Sequence, residues 1–378
     1  MGNTQTLSVS RPASLLTSEG TYLTKPLPQY TNSSLSQIIN IKSDPSHPVH
    51  GDNTHDDGPS INAILAKASR ECNKIVFFPQ GIYLTRSTIT IPPNTRIVGK
   101  VLSTISGTGP HFPNPSSPQP VVHVTPLSNP RVLSGTVEIS NIPLSVREIS
   151  PGATLLQISH PSVSLWSVVL RAGGTIDTPI TTTCHSPNPS NCMAAHTLMH
   201  ITENAGNIYL EDVWGWAADH ALDVVVPNTP AQNIAVGRGL TLSNNSGPVA
   251  LIGTSFEHCS LYQYGFYNVS NILIVGQQTE SSYWQRVGTA VRAPGPWYKE
   301  GEGSIGGLDW SHWQVSLVRA SDVPGGWGGL LAAYFVVSGN DGEGGGGGGG
   351  GDDSGGRKVT VGGVALGVAG VFAFWVLM

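Results

Sequence analysis

Two seven-residue stretches, Leu251-Ile252-Gly253-Thr254-Ser255-Phe256-Glu257 and Ile274-Val275-Gly276-Gln277-Gln278-Thr279-Glu280, align without a gap at an offset of 23 residues, with Gly and Glu recurring in place. A chain that repeats itself at such an interval stacks one unit on the next, and a period of this length suits one turn of a parallel β-helix. The sequence upstream has the other parts of such a coil. Lys74-Ile75-Val76-Phe77-Phe78 is stopped by Pro79-Gln80-Gly81, Thr88-Ile89-Thr90-Ile91 is stopped by Pro92-Pro93-Asn94, and Arg96-Ile97-Val98-Gly99 follows at once. Strands this short, with sharp corners between them, are what a solenoid needs. Composition agrees: only 11% of the 378 residues are charged while 46 are Gly and 28 Pro, a poor basis for helix bundles or coiled coils. One helix is predicted, over Gly58–Arg70, where Ile61, Ile64, Leu65 and Ala68 recur at spacings of three and four.

The repeat has a chemical consequence. Glu257 and Glu280, at one place on consecutive coils, would have backbones about 4.8 Å apart, the spacing of neighbouring strands. Like charges directly opposite in a ladder are unfavourable, so packing alone gives no reason to choose Glu twice here. Two close carboxylates cannot both ionise cheaply; one pKa rises, and that group stays protonated as a proton donor. Paired Asp or Glu residues with separated pKa values are the working part of most glycosidases. The neighbours suit a sugar as well: His258, Tyr262, Gln263 and Tyr264 follow the first Glu, and Gln277, Gln278, Tyr283, Trp284 and Gln285 flank the second. Rings stack on the apolar faces of sugars and amides hydrogen-bond their hydroxyls. Any single one of these aromatics has a plainer use in capping the solenoid core; their clustering on both Glu segments favours carbohydrate.

The remaining polar clusters say less. Trp216-Ala217-Ala218-Asp219-His220-Ala221-Leu222-Asp223 has too few oxygen ligands for a calcium loop, and turn capping is its simpler use. The acidic run in Gly51-Asp52-Asn53-Thr54-His55-Asp56-Asp57-Gly58 precedes the predicted helix, where N-capping would employ it. The 12 histidines show no HExxH spacing, and neither a GxSxG elbow nor a phosphate-binding glycine loop occurs, so no metal or cofactor is expected. With 19 basic residues against 24 acidic and no basic cluster, nucleic acid is not an expected partner. Cys72, Cys184, Cys192 and Cys259 are too few for a disulfide scaffold and lack the spacing of a zinc site. Cys184 and Cys192 bracket a polar, Pro-containing loop that a disulfide could close; two free thiols are the alternative. Sequons at Asn32, Asn244 and Asn268 offer glycosylation sites in a secreted history.

Four regions are expected: a polar, Pro-punctuated N-terminal arm or linker remnant over 1–46, the β-helix over 47–338, a Gly-rich linker over 339–358, and a hydrophobic tail over 359–378. Twenty uncharged residues can just span a bilayer. The tail reads either as a GPI signal or as a transmembrane segment, and GPI is preferred because nothing follows Met378 to act as a cytoplasmic anchor. Both place the chain, as a monomer, at the cell surface and attached to the membrane. Met1–Leu16 has no basic stretch followed by an apolar one, so a secretory signal peptide is not present at this start, which reads as a truncated one.

Longer blocks carry a resemblance. GDNTHDDG, a helix and then KIVFFPQGIYLTRSTITIPPNTRIVGK resemble the opening of the pectate-lyase-like β-helix module of fungal and bacterial glucanases. NCMAAHTLMHITENAGNIYLEDVWGWAADHALD, GRGLTL and GTSFEHCSLYQYGFYNVSNILIVGQQTESSYWQ are similar to glycoside hydrolase family 55, the β-1,3-glucanases, over roughly Gly20 to Tyr283 with a weaker echo at His312–Phe335. The resemblance implies an all-β fold, a right-handed parallel β-helix with one short N-terminal capping helix. It also implies exo-acting, inverting, cofactor-free hydrolysis of β-1,3-glucan, of the laminarin and fungal-wall type. By matching motif, Glu280 in QTESSY takes the part of general acid, Glu257 in FEHCSLYQY holds or activates the attacking water, and Tyr283 touches the sugar. Gln278, Tyr262, Gln263, Trp216, Asp219 and His220 complete the candidate substrate-binding set.

The sequence also departs from the family pattern. The family has two tandem β-helices, of which this chain resembles the second, and its TETPYYQ is here TESSYWQ. A surface-anchored β-glucan-binding β-helix without turnover is therefore the alternative. A pectin lyase or polygalacturonase on the same scaffold is disfavoured, since neither a calcium-carboxylate cluster nor an Arg base is present.

Overall fold

A computed structural model describes residues 13–280, apart from 72–73, 101, 126–134, 176–177, 185–191, 223–233, 246, 268 and 270, together with the backbone of 331–336 and 360–366. The chain winds as a parallel β-helix, the architecture that the repeat and the resemblance imply. Successive turns add strands to three parallel sheets. The first sheet holds Ile38–Asn40, Ile75–Phe78, Arg96–Gly99, Val137–Ser140, Ser162–Trp166, Asn207–Glu211, Val249–Ile252 and the first half of Ile272–Glu280. The second holds Asp52–Asp56, Gly81–Thr85, Ser103–Gly107, Pro143–Val146, Val169–Ala172, Trp214–Ala217, Ser255–Glu257 and the end of Ile272–Glu280. The third holds Ile89–Ile91, Gln119–Val124, Ala153–Ile158, Met193–Ile201, Ala235–Ser243 and Tyr262–Tyr267.

The seven-residue repeat is one corner of the coil. Leu251 pairs with Ile274 and Glu257 with Glu280, the register read from the 23-residue offset. Between the first and second sheets the chain turns at one left-handed residue per rung: Asn141 (φ 55), Ser167 (φ 51), Asp212 (φ 54), Gly253 (φ 58) and Gly276 (φ 65). Gly, Asn and Asp tolerate this region best. Ser167, the exception, donates its hydroxyl to Asp212 Oδ2 one rung on, at 2.7 Å. The corner resets the alternation of side chains. Leu251 and Ile274 point inward before it, and Phe256 points inward after it, which leaves Ser255 and Glu257 on the outside.

Inside, Ile105, Leu144, Leu170 and Phe256 follow one another down the second sheet, all at most 3% exposed. Burying each such side chain contributes about 1.5–3 kcal/mol. Gly215 stands in the same column between Leu170 and Phe256, because a Cβ there would run into the Phe256 ring.

The helix α1, Gly58–Arg70, buries Ile61, Ile64, Leu65 and Ala68 as predicted and packs on the early strands. The acidic run before it does not cap it through Asp57. That carboxylate, 1% exposed, accepts the backbone N–H groups of His50 and Gly51, each at 2.8 Å, and so closes the preceding turn. A second, five-residue helix, α2 (Pro179–Thr183), was not foreseen; Thr178 caps it, and a disulfide joins Cys184 to Cys192 just beyond.

The N-terminal arm is packed rather than idle. Leu15 is buried with Trp166, Tyr209, Ala250 and Leu273 on the outer side of the first sheet. Further along, Lys25 donates to Ser164 Oγ and accepts from the Trp166 indole, both at 3.0 Å, and Tyr30 donates to Glu138 Oε2 at 2.8 Å. The arm thus runs back along the solenoid across successive rungs. At the far end, Leu331–Val336 pairs antiparallel with Ile272–Glu280, and Thr360–Leu366, part of the hydrophobic tail, pairs antiparallel with Leu331–Val336. Among the described residues no helix is long and apolar enough to cross a membrane.

Candidate active site

The outer columns of the second sheet come together at its C-terminal end. Arg171, Trp216, Glu257 and Glu280 occupy one position on four successive rungs, and Val169, Trp214, Ser255 and Gln278 occupy the position two residues earlier. Glu257 and Glu280 are therefore next-door rungs with their side chains on the same face.

Their surroundings differ. Glu257 is 6% exposed and accepts a hydrogen bond from the Ser255 hydroxyl. Burial pushes its pKa above the ordinary carboxylate value and the Glu280 charge adds to the rise, against the pull of the Ser255 hydrogen bond and of the Trp214 and His258 side chains. The Glu280 side chain is 46% exposed; His258 Nε2 lies 3.4 Å from its Oε2, and Gln278 Nε2 approaches its Oε1 at 3.4 Å. Among the described residues no Lys or Arg forms an ion pair with either glutamate.

His258 links the two. Its backbone takes the left-handed conformation (φ 62), uncommon away from Gly, and its N–H donates to the Glu280 carbonyl at 3.1 Å. The imidazole, with the residue 5% exposed, is thereby held against both carboxylates. One donor atom from each of Glu257, His258 and Glu280 falls within 4.8 Å of the others.

The floor is rigid. Phe256 packs edge-on against Tyr264 at 5.2 Å, and the Tyr264 hydroxyl donates to the Thr254 carbonyl at 2.9 Å. Trp214 stacks on Trp216 with ring centroids 5.0 Å apart. The Trp214 indole N–H is buried without a hydrogen-bond partner, although its side chain still influences Glu257. It is near enough to act on the carboxylate yet outside hydrogen-bond geometry.

Not every expected substrate contact gathers here. Gln278 does, beside Glu280. Trp216 shares the column of the glutamates but is 1% exposed, so it supports Trp214 and offers no open face. Asp219 and His220 pair at 2.6 Å on the turn beyond, and the imidazole meets Trp216 edge-on. Tyr262 and Gln263 belong to the third sheet. The Tyr262 hydroxyl bonds Thr241 at 2.9 Å, and both ends of the Gln263 amide are taken by the Cys259 backbone at 2.9 Å. The turn at His258–Leu261 carries them off the face of the glutamates. Tyr283 lies outside the described residues, as does Asn268 of the sequons; Asn32 and Asn244 are both exposed. Trp214 and Ser255 were missed; alternation running back from Glu257 could have found Ser255, and alternation running back from Trp216 could have found Trp214.

The sequence profile of the rhamnogalacturonase A/epimerase, pectate lyase-like family matches residues 46–260. A probable glucan endo-1,3-beta-glucosidase of Arthroderma benhamiae is 32% identical over 333 residues, which are 83% of this chain and 36% of that protein. A glucan 1,3-beta-glucosidase of Cochliobolus carbonum is 30% identical over 335 residues, 86% of this chain and 40% of that protein. A protein named non-secreted LysM effector LysM15, of Penicillium expansum, is 37% identical over 270 residues, 68% of this chain and 18% of its own length. The chain thus spans at most 40% of the length of these three relatives. With more than half of its residues inside the profile, and with fungal β-1,3-glucanases among its relatives in sequence, the chain belongs to the pectate-lyase-like family of rhamnogalacturonase A and the epimerases.

Proposed function

We propose that this chain carries the acid half of a β-1,3-glucan hydrolase, with Glu280 as the proton donor. The observation that carries the reading is the asymmetry of the pair: one carboxylate is 6% exposed with a raised pKa, the other open to solvent on the next rung. Glu257 is sealed into the floor, and Glu280 is the member that can reach a glycosidic oxygen. The relatives named as glucan 1,3-beta-glucosidases support the substrate class.

The inversion, the release of glucose from a chain end and the use of laminarin are the finer parts of this reading. Glu257, holding or activating the attacking water, belongs to the same reading, and a polymeric wall substrate makes the cell exterior the place of action. The experiment is glucose release from laminarin by the full chain and by Glu280→Gln. Loss of a general acid costs about 10²–10⁴ in rate. Equal rates in the two proteins would reject the assignment. The chain's limited share of its relatives' length favours one second reading, a β-glucan-binding surface without turnover, for which binding to insoluble glucan without any glucose release is the expected outcome.

A further inference from the structure

We propose that Glu257, His258 and Glu280 form a binding site for a borderline divalent metal ion of the Zn²⁺ class, and that the ion shuts the acid pair. The donors are two carboxylates and an imidazole, with one atom of each within 4.8 Å of the others. Zn²⁺ bonds of about 2.0–2.2 Å put tetrahedral donors about 3.4 Å apart. His258 Nε2 and Glu280 Oε2 already stand at 3.4 Å. The remaining separations, within 4.8 Å, close by side-chain rotation, for which the half-exposed Glu280 has the most room.

A second observation points to a cation. Glu257 is more than nine-tenths buried, yet beside His258 its polar neighbours are a neutral hydroxyl, that of Ser255, and a neutral indole, that of Trp214, and it forms no ion pair with Lys or Arg among the described residues. A buried carboxylate in this position calls for a positive charge. A metal ion held by all three donors supplies that charge and occupies the carboxylate that would act as the acid. Three donors including an imidazole suit Zn²⁺ and its neighbours, whereas Ca²⁺ takes more oxygen ligands than the cluster has and Mg²⁺ prefers oxygen to an imidazole nitrogen. Water or a sugar hydroxyl would fill the fourth position.

The inhibitory part rests on the reading of Glu280 as the acid; the binding part does not. The test is calorimetric titration of the full chain with zinc chloride, with magnesium chloride in parallel, on the wild type, Glu280→Gln and His258→Gln. One saturable zinc event is expected, with affinity at least tenfold weaker in both variants and no matching event with magnesium. Glu280→Gln replaces a half-exposed group by its isostere and keeps the test valid should His258→Gln unfold, which melting curves report. Zinc binding of equal affinity in wild type and Glu280→Gln, or none in the wild type, overturns the proposal. Glucose release from laminarin is then followed with zinc and after chelation. An active enzyme indifferent to zinc sinks only the metal site; a chain that binds zinc through these residues but never releases glucose sinks only the hydrolase reading.

Discussion

The outer faces of the second and third sheets treat polar side chains in opposite ways. On the third sheet Thr90, His123, Gln157, His200 and Thr241 stack in register. Their hydrogen bonds are made to one another and to neighbours: Gln157 to His123 at 3.3 Å, His123 to Ser159 at 3.0 Å, His200 to Ser243 at 3.0 Å and Thr241 to Tyr262 at 2.9 Å. On the second sheet Glu257 and Glu280 face one another without a Lys or Arg ion-pair partner among the described residues, beside a buried indole N–H that lacks a hydrogen-bond partner. The first ladder turns its polar groups on itself and adds to the fold; the second sets two carboxylates side by side with one of them half open, where a ligand can reach it.

Substitutions can break or sharpen this contrast. Glu257→Gln should lower glucose release from laminarin about a hundredfold, since the carboxylate beside the proposed proton donor is lost. The same change should stabilise the protein at neutral pH. A folded pKa raised above 4.5 gives a contribution complete below that value and lost as pH rises through the folded pKa, so the melting temperature should gain at pH 7 and not at pH 4. Gly215→Ala forces a Cβ against the Phe256 ring, and overpacking of this kind costs about 1–3 kcal/mol. Because Phe256 precedes Glu257, activity should fall along with the melting temperature. Gln157→Ala on the third sheet should cost about 1 kcal/mol in denaturant unfolding and leave kcat unchanged. A fall in kcat there would erase the distinction between the faces.

The smallest effect is in the acid limb. Burial and the Arg238 charge, with His200 beyond, hold His196 down to about 4, and burial lowers His123 and His200. A depressed histidine contributes stability above its unfolded value near 6.5 that is lost as pH falls toward the folded one. His196→Gln should therefore flatten the loss of melting temperature between pH 6.5 and pH 4. An unchanged slope would remove the histidines from the account.

The sequence exposed the last two rungs and hid most of the others for one reason. Leu251–Glu257 and Ile274–Glu280 are separated by a coil with little inserted chain, so the period survives as an offset of 23 residues. Ser145 with Arg171, Arg171 with Trp216, and Trp216 with Glu257 are equally good rung partners, but loops stretch their offsets to 26, 45 and 41 residues. The carboxylate pair was legible because it lies on the unstretched rungs. Trp216 was legible as an aromatic but not as a buried one, since its neighbours Trp214 and His220 fold over it only once the rung and the turn beyond it have formed, with Gly174 close by. Tyr262 and Gln263 lay close to Glu257 in sequence and were assigned to it; the left-handed turn at His258 sends them to another sheet. Proximity along a solenoid chain is a poor guide once a corner intervenes.

The N-terminal arm bears on how the molecule comes apart. Coil-by-coil architectures usually lose their ends first, each layer being answerable only to its neighbours. Here one segment is fastened by Tyr30 to an early layer and by Leu15 to the last, so peeling the terminal layer also strips contacts from the middle of the stack. Cutting that segment between the two fastenings should turn a single sharp melting transition into a gradual fraying that begins beside the glutamates.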